Sequence, residues 1–117
     1  MYEYKEAISV LIDNFPELRK VYEENIDDYK ELPYVFYESV FFKFIMNTVY
    51  SYDEEKLKAI FSFIEDMLKN GDKEIKNLIE VAIIESLYYE ENSKAKELLA
   101  KYFGPLTKES YKNCFLK

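Results

Sequence analysis

The stretch at residues 70–87, NGDKEIKNLIEVAIIESL, decides what kind of fold this chain can make. Asn70-Gly71 interrupts the preceding helical pattern, Asp72 is placed to cap a new helix, and Ile75, Leu78, Ile79, Ala82, Ile83 and Leu87 follow the spacing of one helical face. Val81, Ile84 and Tyr88 mark out a second face. A surface helix needs only one apolar stripe, so a helix with two must lie between neighbours or offer a side to a partner. Packing against a following pair of helices is the expectation.

Immediately upstream, Leu57, Ile60, Phe61, Ile64, Met67 and Leu68 form the face of a helix that Asp53 can cap, and Gly71 is expected in the left-handed conformation just past its end. Two amphipathic segments joined by the tight NGD have the form of one helical-repeat hairpin. Pro33 opens an earlier helix that runs to about Tyr50, in which only Ser39, Lys43 and Asn47 make a polar line at spacing four. That helix is therefore central too.

The first helix is expected from about Tyr4 to Asp13, with Tyr4, Ala7, Ile8, Leu11 and Ile12 on one side. Pro16 ends it and starts a second, since proline suits the first helical position, and its buried stripe is expected to be Leu18, Val21, Tyr22, Ile26 and Tyr29. Downstream, Leu98, Leu99, Tyr102 and Phe103 turn inward on a sixth helix stopped by Gly104-Pro105, and Thr107 is expected to cap a short last helix carrying Tyr111, Cys114 and Phe115. No Pro/Gly/Ser linker divides the chain. The expected fold is all-α: a single helical domain over residues 1–117 of about seven helices, antiparallel hairpins stacked in a short HEAT-like right-handed array, with the third and fifth helices at its centre.

A chain of 117 residues is one domain long and can bury a core without staples. Its one cysteine, Cys114, precludes an intrachain disulfide framework and makes a reducing, cytoplasmic setting the expectation. The first residues carry glutamates and no basic start, so they do not read as a secretory signal. The most apolar run, LPYVFYESVFFKFIMNTVY, is broken by Glu38, Ser39 and Lys43 and falls short of the roughly 20 apolar residues that span a bilayer. No membrane role is expected. The 12 Tyr and 9 Phe suit a binding surface, though the coding bias of an AT-rich genome is the readier explanation.

Catalytic chemistry is sparse. There is no histidine, so the usual neutral-pH base and the commonest metal ligand are missing. Gly71 and Gly104 stand alone and build no phosphate-binding loop. Glu38, Glu80 and Glu85 border apolar faces and are the carboxylates that burial would turn into acids or bases; otherwise they sit at the solvent edge. Cys114 has no base of the usual kind to activate it. Neither an enzyme, a cofactor nor a metal site is expected.

Charge is more informative. The net charge of -7 is unevenly placed: residues 13–55 hold eleven acids against Arg19, Lys20, Lys30 and Lys43, whereas the last lysines make the C-terminal end mildly basic. Glu17, Glu23, Glu24, Asp27, Asp28 and Glu31 fall on or near the exposed side of the second helix, where pairs such as Glu24 and Asp28 repel. Such a stripe either keeps the protein soluble or complements a basic partner, and it disfavours nucleic acid. A second candidate surface lies at residues 86–92, where Tyr88 and Tyr89 precede Glu90 and Glu91; adjacent helical positions point about 100° apart, so at most one of these tyrosines can be well buried. Tyr29, Tyr34 and Tyr89 are the candidate aromatic anchors.

The segments FPELRKVYEENIDDYKELPYVFYESVFFKFI, LKAIFSFIEDMLKNGDKEIKNLIEVAIIESL and KELLAKYFGPLTKE together resemble a family of short, acidic, helical bacterial proteins of unknown function, regarded as immunity proteins of polymorphic or contact-dependent toxin systems. The resemblance implies a non-catalytic protein that binds and neutralises a cognate toxin, for which the acidic stripe makes a basic domain the expectation; it transfers no functional residue. The alternative expectation is a general protein-interaction or structural helical-repeat module with no toxin partner. Oligomeric state is open.

Overall fold

The computed structural model describes residues 1–116, and their helices begin where local chemistry says they should. A 3-10 turn at Tyr4–Glu6 leads into α1 (Ala7–Asn14), and another at Pro16–Leu18 into α2 (Arg19–Glu24). Next come α3 (Ile26–Tyr29) and α4 (Pro33–Phe36), the latter continuing without a break through a π-helical stretch at Tyr37–Phe41 into α5 (Phe42–Tyr50). Asp53 accepts the Lys56 N–H at 3.1 Å to start α6 (Glu54–Asn70), and Asp72 accepts the Ile75 N–H at 2.9 Å to start α7 (Lys73–Leu78). A second π-helical stretch, Ile79–Ile84, joins α7 to α8 (Glu85–Tyr88); α9 (Ser93–Ala100) and α10 (Pro105–Asn113) complete the chain, with a last 3-10 turn at Cys114–Leu116. Counting continuous runs once, the described residues form eight helical segments and no strand.

The fold is all-α, as expected, with one segment more than the seven anticipated. The expected second helix breaks at Asn25, whose backbone leaves the helical region (φ -129°, ψ 36°) while its side-chain amide donates to the Val21 carbonyl at 2.9 Å. Val21 and Ile26 are accordingly exposed rather than buried. They lie five residues apart, about 140° around a helix, so one continuous helix could not have buried both.

The two long helices that look apolar on two sides each contain the π stretch, and this resolves their pattern. The Phe42 N–H bonds the Tyr37 carbonyl and the Glu85 N–H bonds that of Glu80, five residues back instead of four. The extra residue lets the helix lag by about 100°, which swings Ile83, Ile84 and Leu87 round to the side already occupied by Ile75, Leu78 and Ile79. All six are buried, and Ile84 does not belong to a separate face. Val81, expected on the second face, points to solvent at 39% exposure because it sits on the outside of the bulge. Phe36, Tyr37, Val40, Phe41, Ile45 and Val49 are gathered in the same way in the third helix.

These helices are central. The two π stretches pack on each other, Ile79–Ile84 is flanked by α6 and α10, and α5 lies against α6 and α9. Phe15, in the turn after α1, inserts among Phe41, Phe44 and Phe63 at 5.8, 5.5 and 5.7 Å. Aromatic pairs at such spacing add to the 1.5–3 kcal/mol or so that burying one large apolar side chain contributes. The ensemble measures 34 × 31 × 23 Å.

Two further expectations are corrected. Gly71 is extended (φ -80°, ψ 157°), not left-handed; glycine is needed because a Cβ there would collide with the Ile75 side chain and approach the Met67 carbonyl to 2.5 Å. At the same turn Tyr2 forms a single parallel bridge with Gly71, its N–H on the Asn70 carbonyl and its carbonyl on the Asp72 N–H, both at 2.8 Å. Thr107 does not cap the last helix, which starts two residues earlier at Pro105; it is buried in the first turn.

Candidate partner-binding groove

The break at Asn25 has a consequence for the surface. With α3 turned out of line from α2, the walls of α1 and of α2–α3 stand apart, and a groove of about 730 Å³ opens between them. Tyr4, Ile8, Ile12, Tyr22, Ile26 and Pro33 supply its apolar lining. Two of the rings nearby are held firmly: Tyr22 and Tyr29 both meet Phe36 edge-on, at 5.4 and 5.1 Å. Tyr4 lies 6.0 Å from Tyr34, and its phenol is pushed above the ordinary tyrosine value by burial, then by Tyr34 and Glu74.

Charged residues edge this groove, and of the predicted acidic stripe Glu23 and Glu31 line it. Glu17, Glu23, Glu24, Asp27, Asp28 and Glu31 are all exposed. Glu17 is engaged by Lys56 at 2.6 Å, which holds its carboxyl below the usual range, and Glu24 meets Lys20 at 3.8 Å. Among the described residues Glu23, Asp27, Asp28 and Glu31 enter no ion pair. Of the cations on the rim, Lys5 meets Glu3 at 3.3 Å and Arg19 meets Asp13 at 3.9 Å, leaving Lys30. The surface field beside the groove is thus negative. Glu31 adds a backbone oddity: its φ of 59° is left-handed, a conformation that costs a non-glycine residue about 1–2 kcal/mol.

The proposed anchors separate. Tyr29 is half buried at the foot of the acidic face. Tyr34 is also half buried, with its hydroxyl accepting from the Asn77 amide at 2.6 Å, and is thus bound to α7. Tyr89 is 71% exposed at a distinct aromatic corner, where half-buried Tyr88 touches Tyr89, Tyr111 and Phe115 and lies under the Lys96 ammonium. Glu90 is turned into its own loop, accepting from the Glu91 and Asn92 N–H groups at 2.9 and 3.4 Å, while Glu91 is exposed.

Glu38 is exposed, and Glu80 and Glu85 are half buried on the neighbouring helix. No group of three Asp, Glu, Cys or His among the described residues is arranged to hold a metal ion, and no helix is long and apolar enough to cross a membrane. Cys114 is buried and its thiol faces the Ser110 carbonyl at 3.6 Å.

Sequence reasoning missed the groove itself, along with exposed Tyr50 and Tyr52, the latter left-handed at φ 59°. The signal for the groove was present in the five-residue gap between Val21 and Ile26 with an asparagine inside it. Nothing comparable announces Tyr52.

A family model described as a domain of unknown function (DUF7674) matches residues 8–117. No curated protein and no solved structure matches the chain.

Proposed function

We propose that this chain, which belongs to the DUF7674 family, is a non-catalytic protein that binds a basic protein partner through its acidic α2–α3 face. The observation that carries the reading is the set Glu23, Asp27, Asp28 and Glu31, exposed and without ion pairs, of which Glu23 and Glu31 line an open apolar groove. Carboxylates held near one another cost stability, and a face that keeps them is best explained by a complementary partner that it steers. The partner is a cognate bacterial toxin, which the protein neutralises in the cytoplasm; the resemblance to immunity proteins and the absence of histidine support this. The hairpin of α6 and α7 serves as a helical-repeat scaffold behind the binding face.

The test is the double reversal Glu24→Lys with Asp28→Lys, measured against the product of a toxin gene identified beside this one. Both positions are exposed, so helix content should persist. Association should slow by about an order of magnitude and lose salt dependence, because exposed charges act within a Debye length of about 10 Å at 0.1 M salt. Co-expression should restore growth to cells making that toxin. An unchanged association rate, together with no protection, overturns the reading.

A second reading has its own observation. Tyr89 and Phe115, both 71% exposed, form an aromatic corner separate from the acidic face. A general interaction module would bind there, and its affinity would fall on Tyr89→Ser but not on charge reversal.

A further inference from the structure

We infer that the groove between α1 and α2–α3 receives an amphipathic helix of two to three turns with a basic outer face, contributed by the protein partner. The inference rests on the binding role proposed above and goes further in naming the shape and chemistry of what enters.

Three observations lead to it. The first is length: α1 and the turn before it line the groove from Lys5 to Asp13, and eight residues of helix rise about 12 Å, which matches two to three turns of a helix lying alongside. The second is the lining. Tyr4, Ile8 and Ile12 repeat at spacing four along one wall, while Tyr22 on α2 and Ile26 on α3, either side of the break at Asn25, supply the apolar groups of the other, with Ile26 43% exposed. The ridge at spacing four on the α1 wall suits apolar side chains presented every third or fourth residue. With no strand among the described residues, addition of an extended segment to a sheet edge is not open to this protein.

The third is charge. Lys5 and Arg19 are matched by Glu3 and Asp13, so the groups of the lining without ion pairs are Glu23 and Glu31 against Lys30, and exposed Asp27 and Asp28 follow on α3 next to Ile26. A helix seated in the groove would hold its outer flank against this surplus of carboxylates, and lysine or arginine there is complementary where glutamate is repelled. The same surplus opposes a second copy of this chain docking through the same face, since the two acidic faces would meet.

The test uses a fluorescein-labelled synthetic 14-residue peptide with leucines at spacings of three and four and lysines elsewhere. It is compared with a scrambled peptide of the same composition and with one in which glutamate replaces every lysine. Anisotropy titrations with the wild-type protein should show saturable binding of the first peptide, accompanied by gain of helix in circular dichroism. The scrambled and glutamate peptides should each bind at least about tenfold more weakly. Ile8→Gln with Ile26→Gln should weaken binding of the first peptide by a similar factor while Tyr89→Ser leaves it unchanged. Ile26→Gln alone, at an exposed position, covers the case in which the double variant fails to fold. Equal binding of ordered and scrambled lysine peptides, or no effect of Ile26→Gln, overturns the groove inference but leaves the acidic face as a steering surface. Toxin association left unchanged by the double reversal while the ordered peptide still binds would remove the functional reading and spare the groove. A sedimentation mass that doubles with concentration, blocked by Ile26→Gln, would overturn the inference in favour of a second copy.

Discussion

Thr107 is held twice by Glu65: its N–H reaches the Glu65 carboxylate at 3.1 Å and its hydroxyl reaches the same oxygen at 2.9 Å. The other oxygen takes the Leu106 N–H at 2.7 Å. A carboxylate from α6 thus caps α10 from 41 residues away, satisfying N–H groups that Gly104 cannot reach and placing negative charge at the positive end of the helix. Glu65→Ala should cost about 2–3 kcal/mol in urea unfolding, near the sum of a lost cap and a charge-assisted bond, and Glu65→Gln distinctly less. Equal losses would mean that packing of the side chain, not capping, is what matters.

The π stretch at Ile79–Ile84 carries one residue more than an α-turn needs, and exposed Val81 sits within it. Deleting Val81 should let the turn close as α-helix while Ile83, Ile84 and Leu87 keep their side. Deleting Ser62 from α6, which is α-helical throughout, rotates everything after it by about 100°. Thermal denaturation should therefore find the Val81 deletion folded and the Ser62 deletion much less stable or unfolded. Equal damage from both would show that the bulge is not absorbing a residue.

These two features also mark where sequence reading stops. Helix type and most boundaries were legible, because apolar spacing and the caps at Asp53 and Asp72 depend on neighbours only a few residues away. The π turns were not: the choice between bonding four or five residues back is settled by which side chains the rest of the fold must bury. The Glu65 cap was hidden for the same reason, its partners lying 41 and 42 residues on. At the groove, the acidic residues were legible as a run, but their position beside an apolar cleft depended on the break at Asn25. Gly71 was rightly read as a boundary and wrongly as left-handed, since what excludes a Cβ there is tertiary contact around Ile75 and Met67, not φ.

Acid should unfold the protein through two identifiable groups. Asp72 accepts the Ile75 and Tyr4 N–H groups, and Glu17 accepts from Lys56; both carboxyls lie below their ordinary values of 3.8 and 4.5. A carboxyl depressed in the folded state contributes stability above its unfolded value and loses it as pH falls through the folded one. Urea midpoints should hold near neutrality and fall below about pH 4.5, with a shallower slope in Asp72→Asn and, because the Glu17–Lys56 pair is exposed, a smaller change in Glu17→Gln. A slope unaltered in Asp72→Asn would assign the acid transition elsewhere.

At the alkaline end the sensitive group is Tyr37. It is fully buried, donates its hydroxyl to the Ala7 carbonyl at 2.7 Å, and burial pushes its titration far above the ordinary value of 10.0. A phenol raised in this way gives stability that is complete below the unfolded value and is lost as pH rises toward the folded one. Tyr37→Phe should cost about 1 kcal/mol at pH 7, the hydroxyl's bond to the Ala7 carbonyl being lost, and should flatten the decline above pH 10. Parallel pH profiles for the two proteins would contradict this.

Glu31 sets stability against binding. Glycine tolerates φ 59° without the penalty glutamate bears, so Glu31→Gly should stabilise the protein, by up to about 1 kcal/mol after glycine's own entropy is counted. The same change removes one of the carboxylates along the groove and should slow association with a basic partner. A stabilised variant with unimpaired association would show that Glu31 does not steer.

The bridge between Tyr2 and Gly71 also governs when the binding face comes into being. Its two backbone bonds are joined by the Tyr2 hydroxyl on Asp66 at 2.5 Å and the Tyr4 N–H on Asp72 at 3.0 Å. One wall of the groove is therefore pinned at its end by a turn some seventy residues later in the chain. During synthesis α1 has emerged long before that turn exists, and closing so long a loop is an entropic cost that must be met late. A ribosome-bound chain that stops before Asp72 lacks the turn that pins this wall, so the groove is completed only after more than half of the protein has been made.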